Sequence, residues 1–303
     1  MSTALVTGAA GFVGRHFTAR LRESGWKVWA IDTRWAGHLS DVIDAREFCT
    51  RDDFFPLNFD LVIHCAAVVG GRQQIEQDPL STAVNFEIDA ALFRWALRHR
   101  PGRVVYFSSS AAYPAALQTR ERRHLLAEDD IKLTGTLGAP DEVYGWAKLT
   151  GEMLAARARE QGLGVTVVRP FSGYGEDQDA SYPFGAFIDR ALRREDPFLV
   201  WGTGDQARDF IHIDDIVSAT MAMYQSERNG PVNLCSGRPV SMRVLAQQVC
   251  RLAGYAPEIE PSPAAPSGVE YRAGSASRMF GFYRPVVTLE QGIRRALRER
   301  ASD

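Results

Sequence analysis

The stretch Thr7-Gly8-Ala9-Ala10-Gly11-Phe12-Val13-Gly14 constrains this chain more than any other. It lies between a short apolar run at residues 4–7 and a segment, 12–23, in which Phe12, Val13, Phe17 and Leu21 recur at helical spacing until Gly25 ends it. A strand, a glycine turn and a helix in that order let backbone amides approach a pyrophosphate, and the helix N-terminus favours its negative charge. A tight turn that only packs helix on strand would use glycine too. The distinguishing residue is Asp32, 18 positions after Gly14 and at the end of the next predicted strand, 27–31. A carboxylate there accepts both hydroxyls of an adenosine ribose and repels a 2′-phosphate. The candidate dinucleotide residues are therefore Gly8, Gly11, Phe12, Val13, Gly14 and Asp32, and the expected cofactor is NAD rather than NADP. Arg34 pulls the other way, since a nearby guanidinium receives a phosphate well.

The alternation continues. Apolar strands are predicted at 61–65, 104–107 and 165–169, with helices at 83–98 and 146–159 between and after them. On the first of these helices Val84, Ile88, Leu92, Trp95 and Ala96 share one face. Strand-helix-strand repetition implies a doubly wound parallel sheet covered by helices on both faces. The second half is less regular: a glycine-rich loop over 170–179, then helices at 184–194, 214–225 with Asp214 as N-cap, 242–253 and 289–300. Pro261, Pro263 and Pro266 mark an extended connection. The composition shift near Pro170 predicts a dinucleotide-binding unit over 1–170, with a return segment near 208–225, and a smaller, mainly substrate-binding unit over 171–303.

Composition narrows the function. Of 303 residues 45% are hydrophobic and 24% charged, values that suit a folded core. Lys plus Arg number 35 and Asp plus Glu 37, so no basic excess argues for nucleic acid. The arginine-rich runs at 120–123 and 294–300 read as solvated faces. Cys49, Cys65, Cys235 and Cys250 form no C-x-x-C pair and read as thiols in a reducing compartment. The histidines show no metal-ligand spacing, so no metal is expected. No basic, apolar leader precedes the first motif, and no run reaches the roughly 18 apolar residues of a membrane span. A cytoplasmic protein without a membrane partner is expected.

A second constellation is Tyr144-Gly145-Trp146-Ala147-Lys148. Tyr and Lys at i and i+4 share a helix face, where an ammonium stabilises a phenolate and lowers the pKa of the phenol. The spacing gains weight from position, because it follows a strand ending in Phe107-Ser108-Ser109-Ser110. Those hydroxyls stand at the carboxyl edge of a parallel sheet, where ligands bind.

With these residues in view, the chain resembles the extended short-chain dehydrogenases/reductases, specifically their NAD-dependent nucleotide-sugar epimerase/dehydratase group. The matching stretches are TGAAGFVG (7–14), DLVIHCAA (60–67), SSSAAYP (108–114), YGWAK (144–148), RPFSGYG (169–175) and RDFIHIDD (208–215), and SGRPVS (236–241) continues in the same style. The resemblance implies a Rossmann sheet and a catalytic Ser/Tyr/Lys set. The family's S-x-x-x-Y pattern, counted back from Tyr113, selects Ser109, with Ser110 as the fallback; Tyr144 is then the general base and Lys148 its partner and a holder of the nicotinamide ribose. It also implies Asp41 and Val42 near the adenine, and Ala66 and Ala67 under the cofactor. Arg208 matches the arginine that grips the substrate diphosphate, and Arg272 or Arg278 is a second such contact. Ser110 and Ser172 fall on the substrate side, Ser172 where many relatives have Asn near the phosphate; His212 reads as a packed, hydrogen-bonded residue.

Departures from the family pattern narrow the chemistry. Its 4,6-dehydratases carry Asp-Glu directly after the catalytic Ser or Thr, where this chain has Ser110 and Ala111. Val68-Val69-Gly70-Gly71, Tyr113-Pro114 and Gly135-Thr136-Leu137 resemble the GDP-fucose synthase and GDP-mannose 3,5-epimerase branch. That branch uses a cysteine where this chain has Ala111. The implied activity is a nucleotide-sugar 4-epimerase working through a transient keto sugar. The alternatives are a reductase or dehydrogenase of a nucleotide-linked 4-keto sugar, and a non-catalytic dinucleotide-binding regulator. The partner is a nucleotide-diphosphate sugar, and the family habit is a homodimer through a four-helix bundle, here helices 83–98 and 146–159.

Overall fold

The computed structural model describes residues 1–51, 58–70, 78–133, 138–265 and 268–302; Gly71, Gly135-Thr136-Leu137 and Pro266, used in the sequence reading, lie outside the described residues. In chain order the strands are β1 (Thr3–Thr7), β2 (Lys27–Asp32), β3 (Asp41–Val42), β4 (Leu61–His64), β5 (Val104–Phe107), β6 (Leu125–Leu126) and β7 (Val165–Pro170). They continue as β8 (Ser172–Tyr174), β9 (Phe198–Trp201), β10 (Ala207–His212), β11 (Gly230–Leu234), β12 (Pro239–Ser241), β13 (Ile259–Ser262) and β14 (Tyr271–Gly274). The helices are α1 (Phe12–Glu23), α2 (Ala45–Phe48), α3 (Val84–His99), α4 (Glu142–Glu160), α5 (Pro183–Leu192), α6 (Ile213–Gln225), α7 (Met242–Leu252), α8 (Ser277–Phe280) and α9 (Leu289–Arg300).

Seven strands form one parallel sheet in the order β11-β7-β5-β4-β1-β2-β3. Strand residues alternate between two apolar cores. Leu5, Ile31, Val62, Val104 and Tyr106 pack with Ile88, Leu92 and Trp95 of α3 and with Ala155 and Ala158 of α4. Ala4, Val6, Ala30, Ile63, Val105 and Phe107 pack with Phe17 and Leu21 of α1 and with Ile216 and Val217 of α6. Apolar residues on both faces are what a parallel strand needs when helices cover both sides. From β1 the chain runs outward to β2 and β3, then returns to place β4 on the other flank of β1. That reversal opens a crevice at the carboxyl ends of β1 and β4, the usual binding position in such sheets.

The other strands form a sheet β12-β10-β14-β6, with β8 also on β10, and a β13-β9 pair. A third core, with Phe184, Phe187, Phe198, Phe210, Leu245 and Ile293, lies among these later elements. Two local expectations need correction. The 170–179 segment is not all loop: Ser172–Tyr174 is strand β8, because β10 supplies it with a parallel partner, Phe210 opposite Ser172. Helix α6 is capped not by Asp214 but by His212, whose Nδ1 accepts the Asp214 N–H at 3.2 Å. The extended connection marked by Pro261 is partly regular, since Pro261 lies inside β13 and is paired with β9. Among the described residues no helix is long and apolar enough to cross a membrane.

Candidate active site

The glycine turn at the end of β1 is lined by backbone. Gly8 has φ +69°, and a Cβ there would fall 2.6 Å from the Ala66 nitrogen; a Cβ at Gly14 would run into the Gly8 carbonyl oxygen. A surface free of side chains at a helix N-terminus fits a dinucleotide pyrophosphate. Asp32 closes β2 beside it. One carboxylate oxygen accepts the Ala10 N–H at 3.0 Å and the other the Arg34 N–H at 2.9 Å, so backbone aims this side chain at the turn. The Arg34 guanidinium, largely exposed, lies 3.7 Å from the same carboxylate. Asp41 and Val42 form β3 beside Ile31 and Asp32. Ala66 donates its N–H to the Thr7 hydroxyl at 3.2 Å, which seats Ala66 and Ala67 against the turn. The partly buried Phe12 and Val13 pack on the core from the first turn of α1.

Helix α4 starts four residues before the predicted 146, and this places Tyr144 in its first turn. Ser109 follows β5 and accepts the Ala111 N–H at 3.1 Å, and its hydroxyl is close enough to that of Tyr144 to favour the phenolate. The Lys148 ammonium lies 5.8 Å from the Tyr144 ring centre and 5.3 Å from that of Tyr106. Ser109, Tyr144 and Lys148 thus meet at one point of the sheet edge, with Ser110 buried next to them. The expected direction of the tyrosine titration is wrong. Burial pushes the phenol up to about 12, against the neighbouring Ser109 hydroxyl; the Asp89 charge adds to the rise and Arg272 opposes it. Desolvation outweighs Ser109 and Arg272 because a phenolate withdrawn from water loses its hydration.

Arg208 on β10 stands opposite Arg272 on β14 in parallel register. Arg208 donates to the Ala207 carbonyl at 2.9 Å, and Arg272 donates to Asp141 at 2.7 Å and to Gln118. Asp209, the next residue, accepts from the backbone and hydroxyl of Ser236 and from the Gly237 N–H. Asp214 pairs with Arg295. Arg278 lies elsewhere, on Asp129 and Glu128, so Arg272 rather than Arg278 joins the site. Ser172 opens β8 beside β10. His212 is buried, facing Glu176 at 3.2 Å, and caps α6.

Several buried polar residues escaped the sequence reading. Asn85 holds the loop after β4 by accepting the Val68 N–H at 2.7 Å and donating to its carbonyl at 2.9 Å. Glu152 receives Arg169 at 2.8 and 2.6 Å together with the Ser108 hydroxyl. Asp89 receives Tyr106 and faces His64. The signal was present in α3: Asn85 and Asp89, four residues apart, lie on its buried stripe with Leu92 and Ala96.

The chain matches the NAD dependent epimerase/dehydratase family over residues 4–235. A dTDP-4-dehydro-6-deoxy-D-allose reductase of a Streptomyces species is 29% identical over 296 residues, covering 91% of this chain and 89% of that protein. Among solved structures, the UDP-glucose 4-epimerase of Thermotoga maritima with UDP-glucose shares the fold, with TM-score 0.86 at 24% identity and 99% of each chain covered. The UDP-glucose 4-epimerase of Thermus thermophilus in complex with NAD has TM-score 0.80 at 25% identity, with 98% of each chain covered. NAD is the cofactor, and the glycine turn with Asp32 suits it. By its sheet order, its glycine turn and this match, the chain belongs to the NAD-dependent epimerase/dehydratase family and is an enzyme of that family.

Proposed function

We propose that this enzyme is a nucleotide-sugar 4-epimerase. One observation carries the reading: the proton-exchanging group at the crevice is a half-buried Tyr144 hydroxyl beside Ser109, and Ser110 and Ala111 follow where a second acid and base would be needed for dehydration. The chemistry is then confined to a hydroxyl and its ketone. Bound NAD supplies the acceptor and donor of the hydride. Tyr144 takes the hydroxyl proton as the keto sugar forms and returns it when the ketone is reduced on its other face. Ser109 hydrogen-bonds the same oxygen as charge develops there. Lys148 stabilises the phenolate and holds the nicotinamide ribose. Gly8, Gly11, Phe12, Val13, Gly14, Asp32, Asp41, Val42, Ala66 and Ala67 hold the cofactor; Ser110, Ser172, Arg208 and Arg272 hold the sugar nucleotide. In this reading residues 1–170 and the 208–225 segment carry NAD, and 171–303 mainly carry substrate. The enzyme acts as a homodimer through α3 and α4, on which Trp146 and Met153 are exposed.

A second reading is a reductase of a nucleotide-linked 4-keto sugar. It draws on the phenol pushed up to about 12, since a neutral phenol at pH 7 suits donation to a ketone oxygen. An epimerase regenerates its cofactor in every cycle, whereas a reductase consumes one reduced dinucleotide per product. Assaying UDP-, GDP-, dTDP- and CDP-sugars without added cofactor, and their 4-keto forms with NADH or NADPH added, decides between them. Interconversion of C4 epimers by protein that retains NAD supports the first reading. Stoichiometric loss of NADH or NADPH with a 4-keto sugar supports the second, and neither supports a regulator.

Two substitutions test the placements. NAD is expected to bind more tightly than NADP, because Asp32 would meet a 2′-phosphate charge to charge. Asp32→Ala should narrow the gap, and equal or tighter NADP binding by the unaltered protein would mean that Arg34 prevails. Arg208→Ala is expected to lose about 1.5–3 kcal/mol of substrate binding, the range of hydrogen bonds to a charged group. KM should rise more than kcat falls, because the contact is made equally in ground and transition states. NAD affinity should hold. A joint fall of both affinities with a lower Tm would make Arg208 structural.

A further inference from the structure

A chain of buried polar groups runs beneath the active site. The Thr7 hydroxyl, which accepts the Ala66 N–H, lies 2.8 Å from His64 Nδ1. His64 Nε2 lies 3.1 Å from one oxygen of Asp89, and the Tyr106 hydroxyl donates to the other at 2.6 Å. With its proton engaged by Asp89 through Nε2–H, His64 is the neutral tautomer that accepts from Thr7 at Nδ1. Each group then has a partner, as buried polar groups require. Both oxygens of Asp89 accept, which is the pattern of a carboxylate. Tyr106 also approaches the Lys148 carbonyl at 3.4 Å, and Lys148 places its ammonium over the Tyr106 ring. Gly151, one turn further on α4, leaves the room that the Tyr106 hydroxyl and Asp89 occupy.

Asp89 is 1% and Lys148 3% exposed, so both charges have left water. An ammonium buried without an opposing charge sheds its proton. Among the described residues the groups facing it are few. Tyr106 from β5, Tyr144 from α4 and Cys65 after β4 are neutral near pH 7, and His64 is neutral by its hydrogen bonding. Glu152 on α4 is taken by Arg169. Burial drives Lys148 toward its neutral form, and Asp89 is the foremost charge opposing that.

We propose that Asp89 is a positioning residue for Lys148: its carboxylate is the counter-charge that keeps the catalytic ammonium charged, and its bonds through His64 and Thr7 tie that carboxylate to the glycine turn. This rests on the role given to Lys148 above. It adds that the charge of Lys148 is set from α3, by a residue whose carboxylate meets the Tyr106 hydroxyl while the ammonium lies over the Tyr106 ring.

The test uses NMR of the full chain with NAD bound and lysines labelled with ¹³C at Cε. Lys27, Lys132 and Lys148 are the only lysines, the first two are exposed, and Lys148→Met identifies the third signal. Asp89→Asn is expected to lower the Lys148 titration midpoint by about one pH unit or more, the scale of a close opposite charge. Lys27 and Lys132 should not move. Tyr106→Phe removes a hydrogen bond but no charge, and should leave the midpoint within a few tenths. Asp89→Thr, smaller and neutral with a hydroxyl for Tyr106, gives the same comparison if Asp89→Asn does not fold. An unchanged midpoint in the folded neutral variant overturns the proposal, as does an equal fall in Tyr106→Phe. Because the midpoint is read without turnover, it is independent of the catalytic reading, which fails separately if Lys148→Met remains fully active.

Discussion

Tyr144→Phe is expected to keep the fold and NAD affinity and to lose at least ~100-fold in turnover, the lower range of general acid–base effects. The substitution removes one oxygen and leaves the ring, so packing changes little. What goes is the hydroxyl beside Ser109, which in the proposed mechanism exchanges the sugar proton. Since the phenol stands at about 12, the fraction present as phenolate rises with pH throughout the neutral range. The oxidative half-reaction should therefore speed up with pH, about tenfold per unit if proton removal limits it. The reduction of a ketone, which needs the neutral phenol, should not. Turnover and its pH profile, measured in both directions with the substrate found by the sugar-nucleotide survey, check this. Full activity of Tyr144→Phe would remove the mechanism.

Glu152→Gln is expected to give the largest loss of stability, about 3–5 kcal/mol, the cost of breaking a buried ion pair by removing one partner. Arg169 is 1% exposed and gives Glu152 two hydrogen bonds, at 2.8 and 2.6 Å. Its third nitrogen reaches the Tyr113 hydroxyl at 2.9 Å and the Glu128 carbonyl at 3.0 Å, so the guanidinium cannot swing out to water when its carboxylate is gone. Tyr113 in turn donates to Asn233 at 2.6 Å, which joins the β5 end to β11. Denaturant midpoints read the loss. The paired change Glu152→Met with Arg169→Met should recover part of it, because two apolar side chains leave no stranded charge. A neutral result for Glu152→Gln alone would mean that water reaches Arg169. Glu152 also receives the Ser108 hydroxyl, next to Ser109, so a lower turnover in the folded fraction is expected as well.

The first half of the fold was legible because its signals are local. Helix α1 begins and ends where the periodicity predicts, at Phe12 and Glu23, and β5 spans the predicted Val104–Phe107. Each depends on a continuous apolar pattern and a nearby stop. Strands β6, β8, β12 and β14 were not legible. They hold two to four residues each, and their hydrogen bonds come from β10 or from one another, across long stretches of sequence. No window around Ser172 contains the partner that makes it a strand.

The same division holds at the site. Residue types and spacing by themselves determined the glycine turn, the acidic strand end at Asp32, the Tyr144–Lys148 helix pair and the serine cluster, since each is a short motif whose members are close in the chain. Only the tertiary structure decided that Ser109 neighbours Tyr144, that Arg272 rather than Arg278 stands beside Arg208, and that burial raises the Tyr144 phenol rather than lowering it. It alone placed Asp89 against Tyr106 and Glu152 against Arg169. Burial decides what a charge costs and who must pair with it, and burial is set by side chains that approach from distant segments.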